Sequence, residues 1–245
     1  MKKLFAMCVV SAFLFVACGD DSSSKGDSAK SSSSAKKASS VKMGTLKDSR
    51  DGQTYKTVTI GTQTWMAQNL NYETANSYCY SDTPSNCTKY GRLYTWAAAM
   101  DSAGTWSSNG KGCGYKKTCT PTYPVRGVCP TGWHLPTKAE FETLFTAVGG
   151  SSTAGTKLKS TSGWNDFEGK SGNGVDAYSF SALPAGYRGS SNEDYNSEGS
   201  SAFFWSSTEG SSNYAYYMYL CYDNDDASLY DYLKYAGFSV RCVKD

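Results

Sequence analysis

The chain has 245 residues, of which 39% are hydrophobic and 19% charged, with 24 basic and 22 acidic side chains. That is room for one substantial domain and a tail. The net charge of +2 comes from Lys2 and Lys3, so the rest is balanced and carries no electrostatic footprint for nucleic acid. Tyrosine is over-used, with 19 Tyr against 10 Phe and 6 Trp. Its apolar body and polar tip suit both half-buried sheet positions and wet binding faces.

Residues 1–17 have the layout of a signal peptide. Lys2 and Lys3 precede an apolar run from Leu4 to Ala17. At about 14 residues this run is short of the roughly 20 that a spanning helix needs. It ends in "FVAC", which resembles the bacterial lipoprotein signal, where the cysteine, here Cys18, becomes the lipid-bearing first residue. Strict versions prefer Leu where this chain has Phe15. The resemblance implies attachment to the membrane through the lipid on Cys18, in the cell envelope and by expectation at the outer membrane. Residues 18–45 are expected to be a tether: Ser22 to Ser40 is almost wholly Ser, Lys and Ala, too polar to order itself. The globular domain is expected over residues 46–245.

Within it, "DGQTYKTVTIGTQTWMAQNL" alternates on both sides of Gly61-Thr62 and predicts a hairpin. "LYTWAAAMDS" predicts a short helix. "TKAEFETLFTAVGG" predicts a longer one, with Thr137 and Glu140 as a capping box and Gly149-Gly150 as its end. Phe141, Leu144, Phe145 and Val148 share its core face. Four β-like runs follow, "AYSFSALPAGYR", "SAFFWSSTE", "YAYYMYLCYD" and "AGFSVRCVKD". The pattern points to an α+β domain with an antiparallel sheet.

Seven cysteines lie beyond Cys18, which in an exported chain reads as a disulfide framework. Cys79 with Cys87, and Cys113 with Cys119, flank short turn-rich loops and look like local staples. Cys129 and Cys242 would close a long loop. Cys221 is left as a buried thiol, or displaces Cys129 as the partner of Cys242. Zinc is disfavoured, because no Cys-x2-Cys pair exists and His134 is the only histidine. His134, in "VCPTGWHLPT", is expected to be a structural corner rather than half of a Cys–His nucleophile with Cys129, and replaceable at little cost.

The segments "VTIGTQTWMAQNL", "CTKYGRLYTWAAAM", "VCPTGWHLPTKAEFETL", "GWN", "YSFSALPAGYR", "FFWSSTE" and "FSVRCVKD" occur in this order. Together they resemble the Fibrobacter succinogenes major paralogous domain family. "GWHLPT", "FWSST" and "VRC" further resemble proteins with a C-type-lectin-like fold, among them formylglycine-generating enzymes. The resemblance implies short helices on a twisted sheet, termini brought together, and Cys129–Cys242 as the long helix-to-last-strand disulfide. It implies no settled activity.

Trp164-Asn165-Asp166 spells a lectin calcium and sugar motif but lacks the accompanying loop motif, and is read as coincidence. Asp223 to Asp226 cluster oxygens without loop-calcium spacing, and a solvated turn is the preferred reading. No metal and no cofactor are expected. The function expected is a non-enzymatic envelope lipoprotein presenting a lectin-like binding module for polysaccharide or a surface protein. The alternatives are a structural envelope protein and an enzyme related to formylglycine-generating enzymes. The binding face is assigned to Tyr217 and Tyr219, on an open side of their strand, beside a loop bearing Glu193, Asp194 and Asn196.

Overall fold

Residues 54–66 form the expected hairpin in the computed structural model, which describes residues 41–189 and 194–245. Strand β2 (Thr54–Ile60) pairs with β3 (Gln63–Met66) across Gly61, whose φ of +60° suits glycine. A strand not expected from the sequence, β1 (Lys42–Lys47), pairs antiparallel with β2. The ordered unit therefore begins at Val41, and residues 41–45, placed in the tether, belong to it. The signal segment 1–17, Cys18 and the remaining tether lie outside the described residues.

The chain continues through β4 (Ser77–Tyr78), α1 (Pro84–Tyr90), β5 (Leu93–Tyr94), α2 (Trp96–Ala99), β6 (Trp133–His134), α3 (Lys138–Ala147) and α4 (Ser151–Leu158). After a small exposed ribbon of β7 (Asp166–Phe167) and β8 (Lys170–Ser171) come β9 (Ala185–Arg188), β10 (Tyr195–Glu198), β11 (Ser201–Glu209), β12 (Tyr214–Cys221), β13 (Ala227–Leu233), β14 (Phe238–Ser239) and β15 (Val243–Lys244). Helix α3 carries the capping box: Glu140 donates its backbone N–H to Thr137 Oγ1, and Thr137 donates its own to Glu140 Oε2. Phe141, Leu144, Phe145 and Val148 are all buried. Helix α1 occupies a stretch read as loop; Pro84 at its first turn is a position proline favours.

Strands are distributed along the whole chain rather than gathered late. One five-stranded sheet runs β1-β2-β3-β15-β6 and brings the two ends of the unit together. The second contains β10-β9-β11-β14-β5-β4, with β12 paired to β11 and β13 paired to β12. The last predicted run, "AGFSVRCVKD", is split: β14 joins the second sheet and β15 the first. The β11–β12 pair lies between two cores. Phe203, Trp205, Tyr217 and Phe238 pack in one. Phe204, Met218 and Leu220 pack in the other with α3 and Trp65. A strand buried on both faces reads as a continuous apolar run, which is why "SAFFW" does not alternate.

Among the described residues this α+β domain is braced by the disulfides Cys79–Cys87, Cys113–Cys119 and Cys129–Cys242. Cys221 is therefore not the partner of Cys242. The irregular stretch around Cys113–Cys119 is held from the sheet. Buried Lys234 pairs with Glu209 and donates to the carbonyls of Gly114 and Lys117, while Glu209 accepts from the Cys119 N–H. Among the described residues no helix is long and apolar enough to cross a membrane.

Candidate functional site

His134 sits in β6, almost fully buried. Its Nδ1 lies 2.7 Å from Asp245 Oδ1, just beyond β15, and its Nε2 lies 2.7 Å from Glu140 Oε1 on the first turn of α3. Burial alone would push the imidazole pKa down. The hydrogen bonds to the two carboxylates outweigh it and hold the pKa above its usual value. Glu140 shows the converse: burial would raise it, but bonds from His134 and Thr137 hold it below the usual carboxylate range. Cys129 is bridged to Cys242, so it is no thiolate partner for the imidazole. The corner is a tie between three elements, and on these contacts the expected cost of replacing His134 is larger than the small one read from the sequence.

The face of β12 assigned to binding is not open. Tyr217 is 8% exposed and packs on Phe203, Trp205 and Phe238 at ring distances of 5.7, 6.4 and 4.9 Å. Burial pushes its hydroxyl pKa well up. Tyr219 is half-buried, against Phe203 at 5.1 Å, with Ser201 Oγ 3.2 Å from its hydroxyl. The core that holds Phe203, Trp205 and Phe238 covers this side of the strand, a cover supplied by distant segments. Asp194 and Asn196 are exposed at β10. Strands β9 and β11 intervene between β10 and β12, on the order of 14 Å at the usual strand spacing. The structure therefore does not bring them beside the two tyrosines. Glu193 lies outside the described residues. On this face the well-exposed aromatic is Tyr230, at 53%.

The two motifs set aside in the sequence are also placed. Trp164 is buried, donating its indole N–H to Ser160 Oγ and the Ala182 carbonyl, while Asn165 donates to Ser200 Oγ. Asp225 accepts from the Thr156 hydroxyl, Asp226 from Ser228, and Lys159 donates to the Cys221 and Asn224 carbonyls. Among the described residues no three His, Cys, Asp or Glu side chains converge to hold a metal.

The Asp223 to Asp226 turn keeps two buried oxygens without a hydrogen-bond partner, Asp223 Oδ1 and Asn224 Oδ1. A second arrangement with unsatisfied chemistry, holding both a donor and an acceptor, is a polar groove beside α1 and the Cys79–Cys87 staple. It consists of two adjoining clefts, of about 520 and 230 Å³, which share Gln53, Asn71, Cys87 and Thr88. The turn after β1 sets one wall. Asp48 is buried and takes Arg50 in a two-pronged pair, Nε to Oδ1 at 2.9 Å and Nη2 to Oδ2 at 2.7 Å. Burial would raise the Asp48 pKa, but Arg50 outweighs it and holds the carboxyl low. The guanidinium lies 3.9 Å over the Tyr72 ring, a cation–π contact that fixes its plane.

Asn71, leaving β3 toward β4, donates its backbone N–H to Tyr55 Oη at 3.1 Å and accepts at its carbonyl from Gln53 Nε2 at 3.2 Å. Of the five buried side-chain atoms without a hydrogen-bond partner among the described residues, two belong to residues of this groove, the donor Arg50 Nη1 and the acceptor Asn71 Oδ1. The Arg50 side chain is only 8% exposed. A buried orphan of this kind costs about 1–3 kcal/mol in the free protein.

At the other end lies Arg241, fully buried between β14 and β15. It donates to Asn69 Oδ1 at 2.8 Å, to Ser181 O at 2.8 Å and to the Phe180 carbonyl, all neutral acceptors. Burial pushes its pKa down to about 9, against the more distant Asp176. Sequence reasoning passed over Arg50, Asn71 and Arg241. The one legible signal was a charged Arg241 inside the apolar run "FSVRCV".

The fold defines a disulfide-braced α+β domain. Residues 58–244 match the model of the Fibrobacter succinogenes major domain, and the chain belongs to that family. Comparison with curated proteins and with solved structures gives no match.

Proposed function

We propose that the protein is a cell-envelope lipoprotein, held by lipid on Cys18 and probing its surroundings with a lectin-like module that binds glycan. The single observation that carries the binding reading is the pair of buried orphans, Arg50 Nη1 and Asn71 Oδ1, carried by two residues that line one groove. Asp48 already neutralises Arg50, so Nη1 calls for a neutral acceptor and Asn71 Oδ1 for a donor. A hydroxyl group is both at once. A ligand rich in hydroxyls satisfies the two atoms as an apolar ligand or a bare anion does not. The lectin-like fold draws support from the Cys129–Cys242 bridge near the last strand and from β1 and β15 lying in one sheet. The lipid anchor draws support from "FVAC" and the Ser/Lys-rich stretch behind it.

The test is retention of the full chain on a panel of envelope and plant-wall polysaccharides. Asn71→Ala is expected to weaken retention roughly tenfold, the equivalent of one hydrogen bond of about 1.4 kcal/mol. A folded Asn71→Ala chain that binds as the parent does, or a parent that binds no polysaccharide, sinks the reading.

A further inference from the structure

We propose that the groove selects an acidic sugar, with its anionic group at the Arg241 end and its hydroxyls running toward Arg50 and Asn71. The proposal rests on the glycan reading and adds the charge of the ligand.

The two ends of the groove differ in electrostatics. At the wide end every cation has a contact anion: Arg50 has Asp48, and Arg92 has Glu73 at 2.7 Å. The narrow end is lined by Lys56, Lys89 and Arg241 and by no Asp or Glu. Glu198, outside the lining, lies 3.7 Å from Lys89 and offsets part of its charge. Arg241 touches only neutral oxygens; Asp176 reaches it through Ser181, which donates to both Asp176 oxygens. Lys56 makes no ion pair among the described residues and is exposed. A desolvated guanidinium beside an open cleft projects its field into that cleft, because little solvent lies between to screen it.

The remaining lining is of the kind that holds ring hydroxyls. Gln68 and Asn71 carry amide groups there, donors and acceptors at fixed spacing, while buried Asn69 and Tyr55 are spent on the Tyr90 carbonyl, Ser239, Arg241 and the Asn71 N–H and hold the wall in place. One anion flanked by hydroxyls fits this order. A long polyanion such as nucleic acid does not, since the cationic end is short and the wide end adds the Asp51 carboxylate to its two ion pairs.

Two matched pairs of polysaccharide test the proposal on the full chain, by affinity electrophoresis in non-ionic detergent. Polygalacturonate is set against its methyl ester, and dextran sulfate against dextran; within each pair the members differ in charge. In at least one pair the charged member is expected to bind ten times tighter or more. Which pair responds tells carboxylate from sulfate. Lys56→Ala with Lys89→Ala removes two exposed side chains and is expected to cut that preference several-fold, the charged member falling toward the neutral one. A preference undiminished by the double variant reflects general charge and overturns the proposal. Equal binding of both members in both pairs also overturns it, and leaves the glycan reading standing. Failure of every polysaccharide, neutral or charged, overturns both.

Discussion

The His134 corner and the Arg50–Asn71 groove are built from the same materials, a buried cationic side chain, a carboxylate and a short loop, yet they end differently. At the corner both ring nitrogens of His134 find carboxylates, and Glu140 uses its second oxygen on the Thr137 N–H and hydroxyl. In the groove the Arg50–Asp48 pair is equally close, but one donor and one acceptor face no protein partner. A saturated polar cluster contributes to folding. An unsaturated one lowers stability in the free protein and recovers that cost when a partner arrives. The difference gives a physical criterion for telling a brace from a site where both look polar and buried.

Mutations can break or sharpen that contrast. The largest effect is expected at the corner's covalent edge. Replacing Cys129 and Cys242 together with Ser opens a loop of 113 residues and should cost about 4–5 kcal/mol by loop entropy, read from denaturant midpoints. A loss below about 1 kcal/mol would show that the non-covalent contacts hold the corner alone.

The next effect is smaller and depends on pH. The raised His134 pKa contributes stability that is complete below the unfolded value of 6.5 and is lost as pH rises through the folded value. The lowered Glu140 pKa contributes stability that is complete above its unfolded value of 4.5 and is lost as pH falls through the folded one. The corner is therefore strongest between about pH 4.5 and 6.5. His134→Gln keeps the shape and removes the charge. It should cost about 1–2 kcal/mol at pH 6, with the Asp245 share small because that carboxylate is 48% exposed. The gap in melting temperature should narrow as pH rises toward 9. A gap independent of pH would mean that His134 acts through packing.

The smallest effect is expected in the groove. Asn71→Ala removes a buried acceptor that has no partner, so stability should change by no more than about 0.5 kcal/mol or rise slightly. A loss of 2 kcal/mol or more would move the groove into the same class as the corner.

How much of this was legible depended on distance along the chain. The hairpin at Gly61, the capping box of α3 and the staples Cys79–Cys87 and Cys113–Cys119 rest on neighbours in sequence, and all were readable. Helix α4 was not, since "SSTAGTKL" has few strong helix formers and a glycine inside. Its stability comes from burying Ala154 and Leu158, and Gly155 leaves room for the Asp226 carbonyl, 2.3 Å from where a Cβ would stand. Alternation correctly put Met218 and Leu220 on one face and Tyr217 and Tyr219 on the other. It could not say whether the second face was covered, because the cover comes from Phe238 and from β11. The groove was the least legible part: Arg50, Asn71 and Arg241 come from three separate segments, and none carries a local motif.

The Cys129–Cys242 bridge has a mechanical consequence. Tension applied through the two ends of the chain passes across the sulfur–sulfur bond and bypasses the segment it encloses. With a separation of 113 residues, roughly 400 Å of contour length is withheld from extension. Strands β9 to β14, and with them the wall that carries Arg241, are thereby excluded from the load path. Strand β1, exposed along most of its length and paired only to β2, is the first element a pull from the Val41 side would peel away. Under load, the domain yields at a six-residue strap while its covalently closed body keeps its shape.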